Sequence, residues 1–134
     1  MKLDHLGIAV ADLDVALEFW RDALGLELTH VEVVESEGVR TAFLPIGDTC
    51  IELLEAIDDS SPIAKHIAKR GPGIHHICLA IDGLQSKLDS LNSAGVRLVD
   101  RKPRPGAHQM NIAFLHPKAT GGVLVELAEP GDKA

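Results

Sequence analysis

Positive charge, cysteine and long apolar runs are all scarce in this chain, and each shortage removes a class of protein. Lysine and arginine total 13 against 20 aspartates and glutamates, a formal charge of −7. A surface of that sign repels phosphate backbones and anionic lipid, so neither nucleic acid nor a membrane surface is an expected partner. A small anionic ligand, which responds to local charge, stays open. No stretch approaches the roughly 20 consecutive apolar residues needed to cross a bilayer. The amino terminus, Met1-Lys2-Leu3-Asp4-His5, runs straight into a strand pattern without the layout of a secretion signal. Cys50 and Cys78 both sit in apolar strand-like runs. They read as reduced, buried thiols of a cytoplasmic protein, or of a mitochondrial matrix protein whose leader has been removed.

Apolar residues, by contrast, make up 46% of the chain, ample for a core. One domain over residues 1–134 is expected, built of two similar modules at about 1–57 and 72–130 with a connector at about 58–71. The reason is a repeat. His5-Leu6-Gly7-Ile8-Ala9-Val10 returns as His76-Ile77-Cys78-Leu79-Ala80-Ile81, and Ile51-Glu52-Leu53-Leu54-Glu55 returns as Val125-Glu126-Leu127-Ala128-Glu129. The offset is 71 residues at His5/His76 and 74 at Glu52/Glu126, as a duplicated module with small loop changes would give.

Periodicity fills in the module. Residues 3–10 read as a buried strand. Asp12 caps a helix with Leu13, Ala16, Leu17, Trp20 and Leu24 on one face, closed by Gly25. Strands follow at 26–35, 39–46 and 49–55, separated by Glu37-Gly38 and Gly47-Asp48. In the connector, Ser61 before Pro62 starts a short helix that ends before Gly71-Pro72-Gly73. The second module repeats the order: a strand at 74–81, a helix capped by Asp82 with Leu84, Leu88 and Leu91 inward and Gly95 at its end, then strands at 96–99, 110–115 and 123–128. A Pro-, Arg- and Gly-rich loop occupies 101–109. The class is α+β, two βαβββ modules whose eight strands form one curled sheet with the helices outside.

Strand side chains alternate faces. Gly7 and Ala9 share the face of His5, Cys78 and Ala80 that of His76, Cys50 that of Glu52 and Ala128 that of Glu126. Those small neighbours leave room for an ion and a ligand, while Leu6, Ile8, Val10, Ile51, Leu53, Ile77, Leu79, Ile81, Val125 and Leu127 form the opposite, packed face. A lone strand histidine is usually a packing residue. Two His and two Glu at matched places fit a divalent cation instead, because buried carboxylates are costly without one. Mixed imidazole and carboxylate donors suit cobalt, manganese, zinc, nickel or ferrous iron, and the lack of thiolate argues against a structural zinc. His75 points to the other face and is expected to pack or to support a ligand from behind. His30, His66, His108 and His116 have no repeat partner.

His5, Glu52, His76 and Glu126 on paired βαβββ units resemble the vicinal oxygen chelate superfamily, which includes glyoxalase I, extradiol dioxygenases, antibiotic-resistance proteins and the methylmalonyl-CoA epimerases. Ser61-Pro62-Ile63-Ala64-Lys65, Gly73-Ile74-His75-His76-Ile77, Pro103-Arg104-Pro105-Gly106-Ala107 and Phe114-Leu115-His116-Pro117-Lys118, followed by Gly121-Gly122-Val123-Leu124-Val125-Glu126-Leu127, are similar to the epimerases in particular. The resemblance implies metal-assisted proton exchange at C2 of (R)- and (S)-methylmalonyl-CoA through an enolate, with His5, Glu52, His76 and Glu126 as metal ligands and cobalt, ahead of manganese, zinc, nickel or magnesium, as the expected ion. Glu126 is then one catalytic base. Some relatives carry a glutamate where this chain has Thr41, and a glutamine where it has Glu52, so Glu52 is expected to take the second base. Arg101, Lys102, Arg104 and Lys118 are the candidate contacts to the CoA or carboxylate of an acyl-CoA substrate. A homodimer is implied as well. The other readings are a glyoxalase I-type isomerase of a thiol hemithioacetal, which would use the same donors, and a protein that sequesters a small molecule without chemistry. A fourth protein ligand argues against an extradiol dioxygenase.

Overall fold

The computed structural model describes residues 1–131. Among them the order strand, helix, strand, strand, strand occurs twice. The first round is β1 (Lys2–Ala9), α1 (Leu13–Leu17), β2 (His30–Val34), β3 (Val39–Ile46) and β4 (Thr49–Ala56). After the connecting α2 (Pro62–Arg70), the second is β5 (Gly73–Ala80), α3 (Leu84–Ser93), β6 (Arg104–Pro105), β7 (Met110–Leu115) and β8 (Val125–Pro130). The chain is α+β, with the repeated βαβββ order that the sequence implies. It divides into two compact units, His5–His75 and a second made of Met1–Asp4 with the segment from His76 onward.

Both units have the same strand connectivity. In the first the order is β2-β3-β4-β1, in the second β6-β7-β8-β5. The pairs β1–β4 and β5–β8 are parallel, and the remaining pairs within each unit are antiparallel. Parallel neighbours cannot be joined by a tight turn, so each is reached by a long crossover through α1 or α3. The helix-facing side of each sheet is packed as the alternation predicts. Val10, Leu13, Leu17, Ala42, Leu44 and Leu53 form the first core, with Ile8, Trp20, Leu26, Leu28 and Ile51 against it. Ile81, Leu84, Leu88, Ala113, Leu115 and Leu127 form the second.

The helix starts show why each repeat carries two glutamates. Glu52 and Glu55 are three apart on one strand and therefore project to opposite faces. Glu55 Oε2 accepts the Leu13 N–H at 2.7 Å, at the beginning of α1, and Glu129 Oε2 accepts the Leu84 N–H at 3.0 Å, at the beginning of α3. Each carboxylate satisfies an orphan amide at the positive end of a helix. Asp12 adds the expected cap on α1, accepting from Val15 N–H at 3.1 Å, and Ser61 Oγ caps α2 through Ile63 N–H at 3.1 Å.

Several expected boundaries move, for identifiable reasons. Asp82 does not cap α3: the cap residue is Gly83, at φ 69°, without a side-chain bond. Helix α1 stops at Leu17 and continues as a π-helical turn over Glu18–Ala23. The wider turn rotates Leu24 off the buried face, leaving it 54% exposed. Leu26 and Leu28 do pack on the first core, but the ladder of β2 begins only at His30. Residues 96–99 are not a strand; they retain one isolated bridge, Leu98 to Leu115. Asp100 Oδ2 accepts the Phe114 N–H at 2.9 Å there, a side chain standing in for a ladder carbonyl. The strand β6 lies instead at Arg104–Pro105, inside the stretch expected to be loop. No helix among the described residues is long and apolar enough to cross a membrane.

The cap assignment makes a direct prediction. Glu55→Ala and Glu129→Ala are each expected to lower the unfolding free energy by about 1–2 kcal/mol. Asp82→Ala is expected to stay within about 0.5 kcal/mol. Urea unfolding of the three variants checks this, and an Asp82 effect as large as that of Glu129 would contradict it.

Candidate functional site

Strand register builds the same arrangement twice. In the first unit Gly7 faces Glu52 across the parallel β1–β4 pair, and His5 stands two residues before Gly7 on the same face. In the second, Cys78 faces Glu126 across β5–β8, and His76 stands two residues before Cys78. Each histidine thus sits diagonally beside a glutamate. His5 Nδ1 lies 2.7 Å from Glu52 Oε2, a hydrogen-bond distance, and His76 Nε2 lies 3.9 Å from Glu126 Oε1. All four side chains are buried, at 5–7% exposure.

One row further out, β3 and β7 contribute an aromatic to the same face. Phe43 faces Glu52, and Phe114 faces Glu126. The expectation of a face lined largely by small residues holds for Gly7, Ala9, Cys78 and Ala128, all buried, but these two rings were missed. The signal was available: Ala42-Phe43-Leu44 and Ala113-Phe114-Leu115 repeat at the same 71-residue offset as the histidines. Phe114 stands edge-on to His76, ring centroids 5.9 Å apart, and His30 stacks on Phe43 at 5.6 Å. Thr41 is fully buried, paired in register with Leu54 and with Glu32.

The cationic candidates fall into two groups. Arg101, Lys102 and Lys118 are exposed. Arg104 is part-covered: its Nε donates to Asp100 Oδ1 at 3.0 Å and its guanidinium lies 5.4 Å from the centre of the Phe114 ring. His75 packs edge-on against His66 at 4.8 Å, the first of the two roles its position suggests. Burial, then the charge of Arg70, hold the His66 pKa below its ordinary value. His108 is exposed and has a positive φ of 56°.

The donor set fits a metal ion chemically. His5, His76 and Glu126 are among the buried residues whose ligand atoms are of the kind that could hold one. Imidazole and carboxylate together are a borderline-hard combination of donors suited to cobalt, manganese, zinc or nickel. A single buried His–Glu contact is also an ordinary packing solution. Its recurrence at both register-matched places, beside the small residues Gly7 and Cys78, sets it apart from a single packing contact.

Comparisons with known proteins follow the same line. Residues 4–114 match the family model described as the Glyoxalase/Bleomycin resistance protein/Dioxygenase superfamily. The chain is 38% identical over 130 residues to the ethylmalonyl-CoA/methylmalonyl-CoA epimerase of Cereibacter sphaeroides, covering 96% of this chain and 97% of that one. It is similar to the crystal structure of methylmalonyl-CoA epimerase from Mycobacterium tuberculosis, with 46% identity, a TM-score of 0.91, and 97% and 88% of the two chains covered. A structure of a methylmalonyl-CoA epimerase in complex with methylmalonyl-CoA and NH4+ is similar at 39% identity and a TM-score of 0.92, over 96% and 94% of the chains.

His116 offers a check on the local electrostatics. Its Nδ1 accepts the Lys118 N–H at 3.1 Å, which requires that nitrogen to be unprotonated. Burial, then the charges of Arg97 and Lys118, lower its pKa from 6.5. With the folded pKa depressed, the unfolded chain takes up the proton first, so the contribution of this bond is intact above 6.5 and fades as pH falls through the folded value. In an NMR titration His116 is expected to titrate below 6.5, with the Lys118 amide shifting at the same midpoint. A higher midpoint would contradict the neutral acceptor.

Proposed function

The chain belongs to the glyoxalase/bleomycin resistance protein/dioxygenase superfamily and, within it, to the methylmalonyl-CoA epimerases, and we propose that it interconverts (R)- and (S)-methylmalonyl-CoA by moving the proton at C2. The observation that carries this reading is the buried His–Glu pair present once in each module, His5 with Glu52 and His76 with Glu126. These four residues are the proposed ligands of one divalent ion, cobalt in the first instance. Such an ion, when bound, supplies Lewis acidity that favours negative charge on the oxygens of an acyl thioester and its carboxylate.

The remaining chemistry belongs to the chain. Inversion at C2 needs two bases, one on each side of the carbon. One carboxylate takes the C2 proton, the bonding pair moves into the enolate, and the carboxylic acid on the opposite side returns a proton to give the other epimer. Glu126 is proposed for one role and Glu52 for the other. His5 Nδ1, at 2.7 Å, fixes the direction of the Glu52 carboxylate. Thr41, where some relatives have a glutamate, holds only a buried hydroxyl, which does not ionise near neutral pH. Burial of both carboxylates keeps bulk water from exchanging with the enolate before the proton is returned. Arg101, Lys102 and Lys118, all exposed, are the proposed contacts to the CoA phosphates on an otherwise acidic protein. The same reading puts the protein in the cytoplasm as a homodimer.

The test is proton NMR of methylmalonyl-CoA in deuterated water with metal-loaded protein, where loss of the C2 signal is expected. Turnover of methylglyoxal plus thiol in its place would favour the hemithioacetal isomerase. Glu126→Gln and Glu52→Gln are each expected to slow exchange by about 100- to 10,000-fold, the two differing in which epimer is affected at the proton-removal step. Unchanged rates from both epimers in Glu52→Gln would remove that residue from the mechanism. Treatment with a chelator is expected to abolish exchange and cobalt or manganese to restore it. Calorimetric titration is expected to show weaker metal uptake by His5→Ala and by His76→Ala.

A further inference from the structure

The two units part company at one register-matched position on the site face. Two residues before Phe43 lies Thr41, and its β2 partner is Glu32. Two residues before Phe114 lies Ile112, and its β6 partner is Arg104. The duplicated frame therefore carries an acid in one copy and a permanent cation in the other, beside the same phenylalanine. Arg104 is also mounted. Asp100 takes its Nε at 3.0 Å through one oxygen and the Phe114 N–H at 2.9 Å through the other, while the guanidinium lies over the Phe114 ring. That ring is itself edge-on to His76. Glu32 has a weaker neighbour, His30 Nε2 at 3.5 Å.

We propose, resting on the epimerase reading, that Arg104 holds the free carboxylate of the acyl group and so selects malonyl-type thioesters over plain acyl thioesters. Distance favours this anion over the CoA phosphates. The strand β6 is two strands from β8, about 10 Å, and the guanidinium leans back over Phe114 toward the Glu126 row. The pantetheine arm carries the phosphates well beyond that span from the thioester, whereas the acyl carboxylate is separated from the thioester carbon only by C2. Charge favours it too. A carboxylate on C2 opposes the second negative charge that proton removal creates, and a fixed guanidinium offsets that repulsion. Its planar fork matches a carboxylate through paired N–H donors.

Malonyl-CoA and propionyl-CoA, which differ by that carboxylate, separate the roles. Each is titrated calorimetrically into metal-loaded wild type, Arg104→Gln and Arg104→Lys, with deuterium uptake at C2 of methylmalonyl-CoA followed in parallel. Arg104→Gln is expected to bind malonyl-CoA about 10- to 100-fold more weakly and propionyl-CoA unchanged, with kcat/KM for exchange falling in step. Arg104→Lys, which keeps the charge without the fork, is expected to fall between; it carries the comparison should the Gln variant fail to fold. Equal weakening toward both ligands would assign Arg104 to the CoA moiety and overturn the proposal, as would unchanged affinity for malonyl-CoA. Arg104-dependent selectivity for malonyl-CoA in a wild type that exchanges no C2 proton would support the clamp and sink the epimerase reading.

Discussion

Register between the two parallel strands of each module is the constraint on which the rest depends. Gly7 opposite Glu52, and Cys78 opposite Glu126, bring a histidine two residues upstream onto the same face as a carboxylate from another part of the chain. A slip of one residue would turn every side chain to the other face. The helix-facing alternation prevents that slip, because Ile8, Val10, Ile51 and Leu53 would then meet the site and the polar residues would meet the core. Packing on one side of the sheet thereby fixes the chemistry on the other.

The Glu-x-x-Glu spacing in β4 and β8 ties the two sides together. Of each pair, the first glutamate faces the site and the second ends on a helix amide, Leu13 or Leu84. The strand that presents a candidate base is thus anchored at its far end to the helix that fills the core. A displacement of α1 or α3 would be felt at Glu52 or Glu126 through a few residues of rigid strand. This arrangement suits a reaction in which a carboxylate must meet one face of one carbon.

Much of this was legible in the sequence, because the duplication states each feature twice. The four buried donors, the crossover helices, the Ser61 cap and the boundaries of β3 and β7 follow from pattern alone. Other features depend on partners remote in sequence. Asp82 was a plausible cap by position, but the Glu129 carboxylate already takes the Leu84 amide, 45 residues away. Residues 96–99 look like a strand in composition, yet Asp100 replaces a ladder carbonyl, and the pairing moves to Arg104–Pro105. The π turn after Leu17 has no signature in apolar spacing, since Trp20 still reaches the core while Leu24 does not. The asymmetry of Glu32 and Arg104 becomes visible only when register aligns β2 and β6, which share no sequence similarity.

Trp20 has a consequence of another kind. It is the single tryptophan of a chain without tyrosine, and it rests on the core of the first unit. Near-ultraviolet emission from this protein therefore originates almost wholly in one half of a duplicated architecture. Fluorescence reports the melting of that half, while the other loosens unseen except by probes of the backbone. Agreement between the two kinds of signal is then a measure of how far a doubled gene product behaves as a single cooperative body.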